Sequence, residues 1–245
     1  MEDCGMHLNA DKLSLSHGGE WTLSANGIFG GEGVHLVTGP VGSGKTTLAS
    51  ALAGIFEPAS GRIVREGVSR LSLSMQFPEY HVTGFLVKDE IRSWHLPVTE
   101  TLRKSGLEGG RQDRKTLTLS RGELKRLHLA CLLGSPPWDA VILDEPFAGL
   151  DCKEKRRVCA TIEEKRHPVT IIFTHEQAVL PAADVIWEIE VGGTLICRGG
   201  RVPPEAIPAW KGAPPRYLTR ALEEGARPEN IRLQDAKEAL CRMHA

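Results

Sequence analysis

Apolar positions along this chain follow two rhythms. Between about 13 and 67 they come in short runs, "LSLS", "GVHLVTG" and "GRIVREG", parted by glycines, which predicts strands joined by turns. One helix interrupts them at about 44–53, with Gly54 as its stop. "RLSLSM" predicts another strand, ending at Gln76. From about 80 to 115 the pattern changes to short helical pieces broken by Pro97, Gly106, Gly109 and Gly110, a helical insert. "GELKRLHLACLLG" then repeats apolar residues at helical spacing, whereas "AVILDEP" and "VTIIFTH" are continuous β-prone runs. Buried runs of that kind, alternating with helices such as one over 153–165, indicate a parallel sheet covered on both faces. "RGGRVPPEAIPAWKGAPP" reads as a linker before two further helices, "RYLTRALEEGA" and "LQDAKEALCRM". The expected division is a main domain over 1–200, its helical insert at about 80–135, and a linker with a C-terminal helical appendage over 201–245.

Composition narrows the picture without redrawing it. A chain of 245 residues, 41% hydrophobic and 25% charged, can bury a full core without staples. Its formal net charge of -1 gives no bulk basicity of the kind that points to nucleic acid. Six cysteines lie scattered with no C-x-x-C pair, and read as reduced thiols. The start, "MEDCGMHLNADK", lacks the apolar core of a secretory signal, and no stretch approaches the roughly 20 apolar residues that cross a bilayer. The expectation is a cytoplasmic chain.

Three stretches carry chemistry. "GPVGSGKTTL" follows a predicted strand and opens a helix, the context that a G-x-x-x-x-G-K-T phosphate loop requires. Its residues are Gly39, Pro40, Val41, Gly42, Ser43, Gly44, Lys45, Thr46 and Thr47. Glycines let backbone amides converge on phosphate oxygens, Lys45 neutralises them, and Thr46 offers a hydroxyl to Mg²⁺. "VILDEP" supplies two acids at the end of a buried strand: Asp144 to hold Mg²⁺, and Glu145 to accept a proton from, or orient, an attacking water. In "TLSRGELKR", Ser120 and Glu123 form the S-x-x-E capping box, yet Gly122 in the same turn costs a helix roughly 1 kcal/mol relative to alanine.

The order "GPVGSGKTT", Gln76, "LSRGE", "VILDEP", "AGLD", "TH" closely resembles the nucleotide-binding subunits of ABC transporters, over about 13 to 198. The resemblance implies an α/β phosphate-loop NTPase with a parallel core sheet, an antiparallel β subdomain and a helical insert, which binds and hydrolyses ATP with Mg²⁺. It implies that Gln76 reaches the Mg²⁺ site, and that His175 contacts the γ-phosphate. In that family the signature segment completes the site of a partner bound head to tail. Ser120, Arg121, Gly122 and Glu123 would then face a nucleotide held by another chain, and Asp151 would connect the two sites of a dimer. Taken alone, Asp151 is equally a cap for the helix after it.

Two departures stand out. Arg121 takes a place where the family has glycine, and the sequence leaves open a phosphate contact or a side chain pointing to solvent. The residue that stacks on adenine aligns with His17 in "LSHGGEW", with Trp21 near it.

"QFPEYHVTGFLVKDEI", "DEPFAGLD" and the C-terminal helices resemble the energy-coupling-factor ATPases, which drive uptake of vitamins or of cobalt and nickel ions. That resemblance implies a second ABC ATPase subunit, a transmembrane coupling protein and a substrate-binding membrane protein as partners, at the cytoplasmic face of the membrane and without nucleic acid. Phe77, Tyr80 and Phe85 either line the groove for the membrane partner or belong to the core of the insert. The rival readings are a soluble ABC-type ATPase acting on nucleic acid or ribosomes, and a small-molecule kinase, which leaves "LSRGE" and "AGLD" without a role.

Overall fold

The apolar runs become strands of one sheet in the computed structural model, which describes residues 5–17, 21–31, 33–135, 137–165, 167–198, 210 and 214–243. In chain order the strands are β1 (His7–His17), β2 (Trp21–Gly30), β3 (Gly33–Thr38), β4 (Ser60–Glu66), β5 (Leu71–Ser74), β6 (Ala140–Asp144), β7 (Val169–Phe173), β8 (Val185–Glu190) and β9 (Thr194–Cys197). The helices are α1 (Lys45–Leu52), α2 (Val87–Ser93), α3 (Val98–Ser105), α4 (Arg121–Gly134), α5 (Cys152–Glu164), α6 (Arg216–Glu223) and α7 (Leu233–Met243).

Among the described residues the strand order is β4-β1-β2-β9-β8-β3-β7-β6-β5. From β8 to β5 every pairing is parallel, while β1 pairs antiparallel with β2 and β4, and β9 with β8. Strands β6 and β7 are buried at every position, which is why they read as unbroken apolar runs rather than alternating ones. The expected parallel core, antiparallel part and helical insert are all present.

One face of the core sheet packs on α1 and the antiparallel strands through Leu48, Leu52, Ile142, Ile171 and Phe29. The other face meets α4 and α5 through Leu129, Leu132, Leu143, Val158 and Ile172. Leu218, Ala221, Ala236 and Ala239 of the last two helices join that second cluster, so α6 and α7 rest on the sheet's helical layer. A separate cluster of Val87, Ile91, Leu102, Leu107, Leu124 and Leu127 binds α2 and α3 to α4.

Three details differ from the sequence reading. Strand β1 starts at His7, ahead of the first apolar run, and a bulge between Ala10 and Leu13 lets it continue. Strand β5 stops at Ser74, which leaves Gln76 in a loop two residues beyond it. "VIWEIE" and "TLIC" form β8 and β9, which the pattern reading did not separate. Of the expected linker at 198–215, residues 199–209 and 211–213 lie outside the described residues, and Trp210 is buried in the helical layer. Of the cysteines, 131, 152, 159 and 241 are free thiols.

Candidate nucleotide site

Parallel strands deliver their carboxyl ends to one rim, the place where open α/β sheets hold ligands. Here β3, β7, β6 and β5 lie side by side and are followed by Gly39, Thr174, Glu145 and Met75. A cleft of about 310 Å³ opens on that rim, lined by Val41, Gly42, Gly44, Lys45, Thr46, Thr47, Gln76, Glu145 and His175. The sequence placed all nine of these together.

Gly44 caps α1 in the left-handed region (φ 92°), which a side chain would strain, and no side chain caps the helix there. The first amides of α1 are therefore left without a capping side chain at the cleft, the arrangement that suits an anion. Lys45 Nζ donates to the carbonyls of Gly39 (2.9 Å) and Pro40 (2.8 Å), which holds the ammonium over the loop. Burial pulls Lys45 below its usual pKa, with the Glu145 and Asp144 carboxylates opposing.

Thr46 Oγ1 donates to Asp144 Oδ2 at 2.8 Å, while Asp144 Oδ1 is buried with no hydrogen-bond partner. Burial raises the Asp144 pKa. A buried oxygen of that kind calls for a compensating group, and a hard cation with oxygen ligands is one that suits a hydroxyl and a carboxylate side by side. Thr46 and Asp144 thus fit Mg²⁺, and Gln76 lines the same cleft.

Glu145 is buried, and both its oxygens are held. Oε1 lies 2.6 Å from His175 Nδ1, and Oε2 accepts from Thr174 Oγ1 at 3.1 Å and from the His175 amide at 3.4 Å. His175 itself is half exposed at the cleft. Two participants escaped the sequence reading. Thr174 was visible in "IIFTH" as the polar residue ending a buried strand. Lys125 donates from its Nζ to the Glu145 carbonyl at 2.8 Å, and its signal was a cation on the apolar face of α4.

The signature residues lie elsewhere. Ser120 Oγ accepts from the Glu123 amide (3.3 Å) and Glu123 Oε2 accepts from the Ser120 amide (3.0 Å), the predicted capping box. Asp151 and Glu154 build the same device at the start of α5. Ser120, Arg121, Gly122, Glu123 and Asp151 take no part in lining the cleft. Arg121 stays largely in solvent, with its guanidinium over the Phe77 ring, 5.1 Å from the centroid, and 3.6 Å from Glu79. His17 ends β1 opposite Trp21, and its side chain lies outside the described residues.

Fold and site together define a phosphate-loop ATPase of the ATP-binding cassette type. A family model for the ABC transporter matches residues 27–148. The "ABC transporter I family member 11, chloroplastic" of Arabidopsis thaliana is 33% identical over 192 residues, 66% of this chain and 69% of that protein. The "energy-coupling factor transporter ATP-binding protein EcfA2" of Symbiobacterium thermophilum is 31% identical over 146 residues, half of each chain, and other relatives are zinc import ATP-binding proteins. A bacterial ABC transporter cassette solved as a dimer superposes with a TM-score of 0.62 at 17% identity, over 77% of this chain and 96% of that one. The chain belongs to the ATP-binding subunits of the ABC transporter family, and it is an ATPase.

Proposed function

We propose that this chain powers uptake through an energy-coupling-factor-type transporter, pairing with a second cassette and with a transmembrane coupling protein at the cytoplasmic face of the membrane. The observation that carries the ATPase part is the Thr46–Asp144–Glu145–His175 cluster on the rim of the phosphate-loop cleft. Lys45 and the first amides of α1 bind the β- and γ-phosphates. Thr46, Asp144 and Gln76 would hold Mg²⁺, which when bound would neutralise phosphate charge. Glu145 orients the attacking water and His175 contacts the γ-phosphate. Ser120, Gly122 and Asp151 serve the nucleotide of the second cassette, and His17 stacks on the base.

The membrane partner is supported by an exposed aromatic set. Phe77, Tyr80 and Phe85 stand in solvent at the junction between Gln76 and the insert, Tyr80 at 72% and Phe85 at 68% exposure, so they are not core of the insert. Exposed aromatics of this kind are typical anchors for a partner segment. No helix among the described residues is long and apolar enough to cross a membrane, so transport needs such a partner. Co-purification of the tagged chain from native membranes tests the reading. A coupling membrane protein should be captured, and Tyr80→Asp with Phe85→Asp should abolish capture while ATP hydrolysis persists. Capture of no membrane protein would sink it.

Both halves of a composite site are intact in this one chain, which supports a second copy as the other cassette. Light scattering of Glu145→Gln in ATP and Mg²⁺ should show a dimer, and Ser120→Arg in the same background a monomer.

A further inference from the structure

Glu145 occupies a backbone conformation that its side chain disfavours. Its φ is 50°, in the left-handed region, where among the described residues the other non-glycines are Lys12 and His95. Such a residue costs about 1–3 kcal/mol and persists only where the surroundings over-determine it. Three grips do so here. The Glu145 amide donates to the Phe173 carbonyl at 2.8 Å, the carboxylate is held by Thr174 and His175, and the carbonyl accepts from Lys125 Nζ at 2.8 Å.

Lys125 is the unexpected member. It is 3% exposed on the face of α4 that packs into the protein, beside Leu124 and Leu127. A buried ammonium is costly unless it is paired and hydrogen-bonded. Burial brings its pKa down to about 8, against the pull of the Glu145 and Asp144 carboxylates. A methionine would fill the same space at none of that cost.

We infer that Lys125 is a positioning residue for hydrolysis: by bonding to the Glu145 carbonyl it fixes the left-handed turn and so the aim of the carboxylate. Lys125 does not line the cleft, so its effect passes through Glu145 rather than through the nucleotide. It also stands on the same helix as Ser120 and Gly122, which ties the aim of Glu145 to the placement of the signature end. The inference rests on Glu145 as the residue that orients water.

The test compares Lys125→Met and Lys125→Gln with the parent, alone and in a Glu145→Gln background. A misplacement of about 1 Å in such a group can cost about 100-fold. Lys125→Met should therefore lower kcat by about that factor, with KM for ATP and nucleotide affinity within about twofold of the parent and the Tm retained. Lys125→Gln serves if the methionine variant does not fold, and should show the same split at about tenfold. In the Glu145→Gln background neither change should lower the residual rate further, because residues acting as a unit are not additive. An unchanged kcat in a folded variant overturns the inference, and so does an equal loss in both backgrounds. Full hydrolysis by Glu145→Gln alone would instead overturn the role given to Glu145.

Discussion

At the phosphate loop, side chains that follow the neighbouring strands β3, β6 and β7 bond to one another, whereas at Ser120–Gly122 and Asp151 exposed side chains cap the first turns of their own helices. The first region explains itself within one chain: Thr46 meets Asp144, and Glu145 is fixed by Thr174, His175 and Lys125. The second does not. A Cβ on Gly122 would come no closer than 3.5 Å to the rest of the chain, ordinary contact, so nothing in the chain's own packing forbids alanine there. A glycine that a helix disfavours and its own packing does not need points to something outside the chain that comes close.

The largest expected effect separates the two regions by chemistry. Glu145→Gln should lower ATP hydrolysis by about 100- to 10,000-fold, the span of general acid–base catalysis, while nucleotide binding is kept. Retained hydrolysis would remove Glu145 from the mechanism. Next comes Gly122→Ala, for which stability and activity should move in opposite directions. Thermal unfolding should show a helix firmer by up to about 1 kcal/mol, and steady-state hydrolysis should fall by about tenfold or more. A variant that is both firmer and fully active would end the reading of Gly122 as a close-approach site.

Acid should act on the buried region. Burial holds His35 down to about 4 and His128 down to about 3, against about 6.5 in an unfolded chain. The depressed values belong to the folded state, so the unfolded chain takes up these protons first. Their contribution to stability is whole above about pH 6.5 and is lost as pH falls toward those values. Asp144, raised by burial, works the opposite way. Denaturant midpoints between about pH 7 and 4.5 should therefore decline, and His128→Gln should flatten the decline. An equal slope in parent and variant would contradict this.

Smaller still is the cap. Asp151→Ala removes the acceptor for the Glu154 amide and should cost about 1 kcal/mol in denaturant unfolding. A larger loss would show that Asp151 supports more of this chain than the first turn of α5.

How much was legible follows the same division. The phosphate loop, the two acids of "VILDEP" and the capping boxes are local patterns, so their spacing announced them. Gln76 and His175 were readable because each follows a strand. Lys125 was not, because its partner lies 20 residues away and the contact exists only after α4 packs on the sheet. Arg121 escaped for a like reason: its rest on Phe77 and Glu79 depends on a turn more than 40 residues earlier. Strand β8 carries charge within the strand and the short β9 follows it closely, which masked them as separate elements.

The most direct measurement mixes two inactive variants. Lys45→Ala lacks the phosphate-loop cation and Ser120→Arg blocks the signature end. If the signature end serves a partner's nucleotide, a mixed dimer holds one site with both halves whole. Random pairing of equal amounts then restores about a quarter of the wild-type hydrolysis, although each variant alone is silent. A mixture as silent as its components, at concentrations where Glu145→Gln dimerises in ATP, would contradict the division of the site between two chains.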